Sequence, residues 1–183
     1  MRNTIVIMIL SLAVYACKND SVSLSPSSQL ITANERNSAL SAYVNSYHAG
    51  LRLLNVSTKN INSSGRALTW SYCFVDTSVG THPTYYFHAT LGDIGFDSTG
   101  QLVPGPSVIT LRWCDSDSAV IVSEQSGGAN YRNQNPNGTM TAYLGQIVNP
   151  NPVVTWRIIY QGGPIGLGLI IDASTGLCIG QSR

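Results

Sequence analysis

The stretch V-V-T-W-R-I-I-Y at residues 153–160 indicates the fold, because apolar side chains recur along it with the period of a β-strand. In an extended chain four of them share one face: Val154, Trp156, Ile158 and Tyr160. Residues 67–74 repeat the pattern when the tryptophans are aligned, and the matching positions are Leu68, Trp70, Tyr72 and Phe74. We therefore predict two equivalent strands, each with one buried face.

The repeat extends beyond these strands. The triplet S-T-G occurs at residues 98–100 and again at 174–176, with Asp97 and Asp172 just upstream of the two copies. Asp, Ser and Gly favour tight turns, and Gly supplies a positive φ. Each copy therefore predicts a hairpin turn, and the chain as a whole predicts one structural unit written twice, at residues 32–103 and 104–183.

A helix is predicted to open each unit. In the first, T-A-N-E at residues 32–35 fits a capping box, and apolar residues such as Leu40, Val44 and Tyr47 follow at helical spacing towards Gly50. In the second, Asp115 and its neighbours supply helix caps before residues 119–126. The β-branched run at residues 120–122 equally suits a strand, so residues 117–126 stay open between helix and strand, although the repeat favours a helix.

The rest of the chain predicts strands and polar connections. Strands are expected at residues 85–91, through Ile94 and Phe96, and at residues 108–113 and 140–148, whereas residues 55–65 have the composition of a polar loop. Residues 104–106, Pro-Gly-Pro, mark a boundary. The expected fold class is therefore α+β, with two tandem helix-plus-antiparallel-sheet units.

The N-terminus predicts export and lipid anchoring. A short positive start and an apolar run have the shape of a secretory signal peptide over residues 1–16, too short for a comfortable membrane span. The sequence V-Y-A-C ending at Cys17 resembles a bacterial lipobox, and the Ser-rich tether at residues 17–31 resembles those of Bacteroidetes-type lipoproteins. We expect Cys17 to be lipidated and the protein to be anchored in the bacterial outer membrane or periplasm.

The composition excludes an electrostatic binder of nucleic acid. Charged residues make up 10% of the chain, against about 25% in typical globular domains, and Lys18 and Lys59 are the two lysines. Three cysteines follow Cys17: Cys73, Cys114 and Cys178. Their pairing stays open between one disulfide with one free thiol and three buried free thiols, since connectivity cannot be read from sequence.

The sequence shows no motif for catalysis, metal or cofactor binding. It has no G-x-S-x-G, H-E-x-x-H, P-loop or C-x-x-C, and we expect no cofactor, no metal site and no enzyme activity. An enzyme would need His48, His82 or His88 to converge with carboxylates. Trp70, Trp113 and Trp156 are expected in the core, although an aromatic residue on an open sheet face would become a binding anchor.

The residues around Trp113 carry a family resemblance. Trp113 followed by D-S-D-S-A at residues 115–119 and by G-G at 127–128, together with the final strand pair through residues 171–176, resembles PepSY-like domains. The β-branched run departs from that family's plain helix. The resemblance covers residues 32–180 and implies helix-plus-sheet modules that bind proteins or inhibit peptidases. Tandem units of this kind are also similar in fold to the β-lactamase inhibitory proteins.

These observations favour one function and leave an alternative. We expect an envelope-anchored, non-catalytic module that binds an envelope or secreted protein, in the manner of a peptidase inhibitor. The alternative is a lipoprotein that binds a small ligand or a glycan, which predicts an open pocket with exposed aromatic side chains. Tyr131 and Arg132, beside an Asn-rich loop, are further candidates for contact residues.

Overall fold

The computed structural model describes residues 30–100, 105–148 and 151–182. The predicted signal peptide, Cys17 and nearly all of the tether lie outside these residues. The elements in chain order are α1 (Asn37–Tyr47), β1 (Arg52–Thr58), β2 (Trp70–Val75), β3 (Thr84–Ala89), β4 (Ile94–Gly100), α2 (Ser116–Ser123), one π-helical turn (Glu124–Gly128), α3 (Ala129–Gln134), β5 (Thr139–Val148), β6 (Pro152–Gln161), β7 (Leu167–Asp172) and β8 (Cys178–Ser182).

The eight strands form one antiparallel sheet in the order β4-β3-β2-β1-β5-β6-β7-β8. The two halves of the chain meet where β1 pairs with β5, with Val56 opposite Leu144. The prediction of two tandem helix-plus-sheet units is therefore wrong. Because β1 and β5 hydrogen-bond to each other, neither half keeps a separate sheet, and the buried apolar residues of both halves form one core cluster.

The core lies between one face of the sheet and the helices. Trp70 and Trp156 are fully buried, as predicted, and their ring centroids are 5.9 Å apart across the centre of the sheet. Trp113 also packs against Trp156, at a ring-centroid distance of 5.9 Å, but it is only partly buried at the edge of the core. The indole N–H of Trp70 donates to the Ile31 carbonyl, and that of Trp156 to the Cys114 carbonyl. The tryptophans thus join the central strands to the segments that enter each half.

Strands β1 and β4 differ from what the sequence predicted. Residues 55–65 do not form one polar loop, because β1 occupies residues 52–58. The S-T-G triplet at 98–100 is not a turn but the end of β4, paired with Thr84, Tyr85 and Tyr86 of β3. The triplet at 174–176 does form a turn, in which Asp172 accepts from the Ser174 amide and Gly176 has a φ of 69°. Residues 108–113, expected as a strand, form none.

The helices follow the predicted chemistry in part. Residues 116–123 are helical, with Asp115 as the N-cap, so the interpretation of this segment as a helix is confirmed. The Glu35 carboxylate accepts from the Thr32 amide, as in a capping box, but α1 begins only at Asn37. The Thr32 hydroxyl instead donates to Asp115 at 2.5 Å, which links the start of the first half to the first turn of α2.

Candidate functional site

One face of the sheet is covered and the other is open. Leu40 of α1 and Val120 of α2 pack in the core with Trp70 and Trp156, so both helices lie on the same face. Side chains alternate between the faces along each strand. Tyr86, for example, is 38% exposed, whereas its neighbour Phe87 is fully buried in the core. Within the described residues no helix packs against the face that carries Tyr86.

The open face carries a group of large side chains that we call the open-face patch: Tyr86, Tyr143, Arg157 and Ile159. Tyr143 is 40% exposed and Ile159 is 37% exposed. Tyr143 and Arg157 lie directly opposite each other on β5 and β6, and Ile159 follows on the same face of β6. Tyr86 lies three strands from Tyr143, about 14 Å away at the usual strand spacing.

Two glycines leave the space in which the two tyrosine rings lie against the sheet. A Cβ at Gly145 would lie 2.7 Å from the ring of Tyr143, and a Cβ at Gly100 would lie 2.5 Å from the ring of Tyr86. Each ring therefore occupies space that any other residue at the glycine would take. Burial raises the pKa of the Tyr143 hydroxyl, and the nearby Arg157 guanidinium partly offsets that rise. The pKa of the Tyr86 hydroxyl is also raised, by Cys73 and by burial, so both tyrosines are neutral hydrogen-bond donors on the open face.

Cys73 lies on the same face beneath the patch. It is directly opposite Tyr86 and fully buried, and burial raises the pKa of its thiol, which makes it a poor nucleophile. The three described cysteines are all free, but only Cys73 is buried, since Cys114 is half-buried and Cys178 is exposed. The disulfide alternative is therefore wrong for these three residues, and the alternative of three buried free thiols is right about the free thiols but about burial only for Cys73.

His88 forms an ion cluster at the β3–β4 end of the open face. Its Nδ1 lies 2.5 Å from Asp97 Oδ1, and its Nε2 lies 3.2 Å from Asp93 Oδ2. The hydrogen bond to Asp97, followed by that to Asp93, raises the pKa of the imidazole. Because carboxylates engage both ring nitrogens, they favour the protonated ring, in which neither nitrogen has a free lone pair for acting as a base.

The other two histidines converge elsewhere, around Asp76. His48 Nε2 lies 3.6 Å from Asp76 Oδ2, and His82 Nδ1 lies 3.4 Å from the Asp76 carbonyl oxygen. Ser78 donates to the Asp76 carboxylate, and this hydrogen bond is the largest influence that lowers the pKa of Asp76. Ser78 bonds directly to Asp76, and neither His48 nor His82 lies between them, as activation of a serine nucleophile would require. In the described part of the chain no three histidine, cysteine or acidic side chains form a metal-type cluster.

A groove of about 1030 Å³ lies at one end of the open face, and we call it the loop-end groove. Its walls are the loop after β1 and the loop before β5, and Ser57 and Ser71 connect it to the open face. Three cations line it: Lys59, Arg66 and Arg132. Four amide side chains line it as well: Asn60, Asn62, Asn133 and Asn135. Neither an acidic nor an aromatic residue is among the residues that line it.

A partly buried network that sequence reasoning missed holds Arg132 in this groove. Arg132 donates from Nε and Nη2 to the Glu124 carboxylate, and the Tyr160 hydroxyl donates to Glu124 Oε1 at 2.8 Å. Burial raises the pKa of the Tyr160 hydroxyl. Tyr131, the other candidate of that segment, donates to the Ile165 carbonyl at 3.0 Å. Spacing could not have shown the network, because Glu124 and Tyr160 are 36 residues apart.

The fold resembles that of a predicted lipoprotein from Clostridium difficile 630, known from a crystal structure at 1.85 Å resolution. The two chains are 11% identical, with a TM-score of 0.53, and the match covers 80% of this chain and 91% of that chain. At this identity the likeness concerns the fold alone. No family model matches the sequence, and no curated protein matches it significantly, so PepSY-like membership stays a prediction.

The described helices are too short to cross a membrane. A helix needs about 20 largely apolar residues to cross a bilayer. The longest described helix, α1, has 11 residues, and no described helix meets the length and hydropathy required. Attachment to a membrane through Cys17 therefore stays a prediction from the N-terminal sequence, which lies outside the described residues.

Proposed function

We propose that this protein is an envelope-anchored, non-catalytic module that binds another protein through the open face of its sheet. The observation that supports the proposal is the open-face patch. Tyr86, Tyr143, Arg157 and Ile159 lie on a sheet face that no described helix covers. Tyrosine and arginine are among the residues that dominate binding energy at protein interfaces.

The size of the open face suits a protein partner. Eight strands at about 4.8 Å spacing span about 34 Å, and a strand of six residues is about 20 Å long. The product, about 700 Å², is close to the roughly 800 Å² that each partner contributes to a standard interface.

Anchoring at Cys17 would place this surface in the bacterial envelope. The lipobox-like sequence supports the anchor, and the fold likeness to a predicted lipoprotein is consistent with it. A partner in that compartment would be an envelope or secreted protein. If the partner is a peptidase, a face that covers its active site would inhibit it, which is the inhibitor-like form of the proposal.

The binding of a small ligand or a glycan is the second candidate, and the loop-end groove is the observation that favours it. A volume of about 1030 Å³ is at the upper end for small-molecule sites. However, aromatic rings commonly supply the apolar surface in such sites, and the groove has none. We therefore rank this candidate below protein binding.

The test is affinity capture with matched variants. The purified protein is immobilised, exposed to periplasmic and secreted fractions, and the retained proteins are identified by mass spectrometry. A specific partner should bind about tenfold more weakly to Tyr143→Ser or Arg157→Ser. Tyr43→Ser is the control, because Tyr43 is 37% exposed but packs against Phe87 on the covered side.

Two outcomes would contradict the proposal. One is the retention of no protein under conditions that capture a control pair. The other is a partner whose affinity falls with the control Tyr43→Ser but is unchanged by the open-face variants. If the retained partner is a peptidase, titration of its activity against this protein then tests the inhibitor-like form directly.

A further inference from the structure

We infer that the loop-end groove binds an acidic, extended segment of the partner that docks on the open face. The inference rests on the proposed function and adds the chemistry of a second contact. It is based on three features of the groove: its continuity with the open face, the donors that its cations leave free, and its unpaired amide side chains.

The groove is continuous with the open face. Ser71 lies directly opposite His88 on one side and Ser57 on the other, and Ser57 lies opposite Tyr143. Directly opposite residues of an antiparallel pair share a face. The two serines that line the groove are therefore in the row of side chains that contains Tyr143. A partner that covers Tyr143 would bring its edge to the mouth of the groove.

The two arginines of the groove are held by hydrogen bonds and ion pairs that leave some of their N–H donors unused. Arg132 uses Nε and Nη2 on Glu124, so its Nη1 has no partner among the described residues. Arg66 uses Nη1 on the Leu30 carbonyl, 3.0 Å away, and on Glu35, 3.3 Å away, which leaves its Nε and Nη2. A guanidinium has five N–H donors in a fixed fork, so both residues can still bind a carboxylate.

Lys59 adds a charge that no described carboxylate balances. Lys59 has no ion-pair or hydrogen-bond partner within the described ranges. Arg66 and Arg132 are each paired with a glutamate that does not line the groove, Glu35 and Glu124 respectively. The groove therefore has a net charge of about +1 when those two glutamates are counted. Because no acidic residue lines it, an incoming carboxylate meets only donors and neutral groups.

The amide side chains favour a peptide over a sugar. Asn62 is committed, since its Oδ1 accepts from the amides of Ser64 and Arg66. The side-chain amides of Asn60 and Asn133 have no hydrogen-bond partner among the described residues. They can therefore pair with the alternating donors and acceptors of a peptide main chain. A sugar ring would normally stack on an aromatic residue, which the groove lacks.

The experiment measures the binding of a defined probe by fluorescence anisotropy at low ionic strength. The probe is a fluorescein-labelled, terminally blocked hexaglutamate, and hexaglutamine is the uncharged comparison. We expect hexaglutamate to bind, hexaglutamine to bind at least about tenfold more weakly, and salt to weaken hexaglutamate binding. Lys59→Glu should weaken it about tenfold. Arg112→Glu is the control, because it makes the same charge change at an exposed residue outside the groove.

Several outcomes would overturn the inference. They are no hexaglutamate binding, an equal loss with Lys59→Glu and Arg112→Glu, or tighter binding of an oligogalacturonate, which would identify the ligand as an acidic sugar. Failure here is separable from failure of the proposed function. A captured partner that depends on Tyr143 but not on Lys59 refutes the groove alone, whereas groove binding without any captured partner refutes the open-face proposal.

Discussion

Replacing Asp115 with alanine should remove hydrogen bonds between the two halves of the chain and lower the free energy of unfolding. Its carboxylate accepts from the Ser116 amide at 2.7 Å, which caps α2 in the second half. It also accepts from the Asn34 amide at 3.0 Å and from the Thr32 hydroxyl at 2.5 Å, both in the first half. One side chain thus satisfies donors from both halves of the chain.

The cost can be worked out from these contacts. Loss of an N-cap side chain costs about 1 kcal/mol. An alanine would also leave the Asn34 amide and the Thr32 hydroxyl without their acceptor, at about 1 kcal/mol each, and Thr32 is only 5% exposed. We therefore expect Asp115→Ala to lower the free energy of unfolding by about 2–4 kcal/mol. Asp115→Asn should cost only about 1 kcal/mol, because Asn remains a good cap and keeps one oxygen.

The assay is urea-induced unfolding followed by tryptophan fluorescence, since Trp156 packs against Trp70 in the core and against the partly buried Trp113. Asp117→Ala is the matched control, because the Asp117 carboxylate accepts only from Ser118, one residue on, and its loss should cost about 0.5 kcal/mol. The reasoning is refuted if Asp115→Ala and Asp117→Ala have the same midpoint, or if Asp115→Asn is as destabilising as Asp115→Ala.

Two further predictions concern the β3–β4 edge and a close backbone contact. Because the Asp97 hydrogen bond raises the pKa of His88 in the folded protein, the stabilisation is fully present below the unfolded pKa of about 6.5 and is lost as pH rises through the raised value. The Tm difference between wild type and His88→Gln should therefore be larger at about pH 5.5 than at about pH 9, and an equal difference would contradict this reasoning. Gly65→Ala should cost about 2–4 kcal/mol in urea unfolding, because φ is +74° and the new Cβ would lie 2.3 Å from the Asp117 Cα. Gly50→Ala, with φ +91° and open space around it, should cost only about 1 kcal/mol, and equal costs would refute the steric argument.

The sequence predicted those features whose signal is local. Alternation placed Trp70 and Trp156 on buried strand faces, and both are fully buried. Asp115 was expected to cap a helix, and it is the N-cap of α2, in which the β-branched Val120 is buried in the core. Each of these inferences depends on residues within a few positions of one another, where spacing alone specifies the geometry.

Two of the wrong expectations concern strands whose residues favour turns. β1 has the sequence R-L-L-N-V-S-T, and a register shift between Leu53 and Asn55 disturbs its alternation. The end of β4 reads D-S-T-G at residues 97–100, although hydrogen bonds to β3 hold it extended. Asn, Ser, Asp and Gly are turn formers by local preference, so only the neighbouring strand, which is distant in sequence, decides their conformation.

Only part of the candidate site could be predicted from the sequence. An aromatic residue on an open sheet face was expected to mark a binding surface, but Trp70 and Trp156 are in the core and Trp113 packs against it. The strand that contains Tyr143 was expected, yet its sequence T-M-T-A-Y-L-G-Q does not show which face the helices cover. That information comes from the packing of α1 and α2, which chain spacing does not specify.

The pairing of β1 with β5 creates the surface on which the proposed function rests. Tyr86 belongs to the first half of the chain, whereas Tyr143 and Arg157 belong to the second, so the open-face patch exists only while the two halves share one sheet. On the covered side the Trp70–Trp156 contact and the bonds of Asp115 hold the same boundary together. A change at this boundary should therefore weaken partner binding even though Asp115 lies on the far side of the sheet. The loss of binding should follow the loss of stability across the Asp115 variants, whereas Tyr143→Ser should weaken binding at unchanged stability.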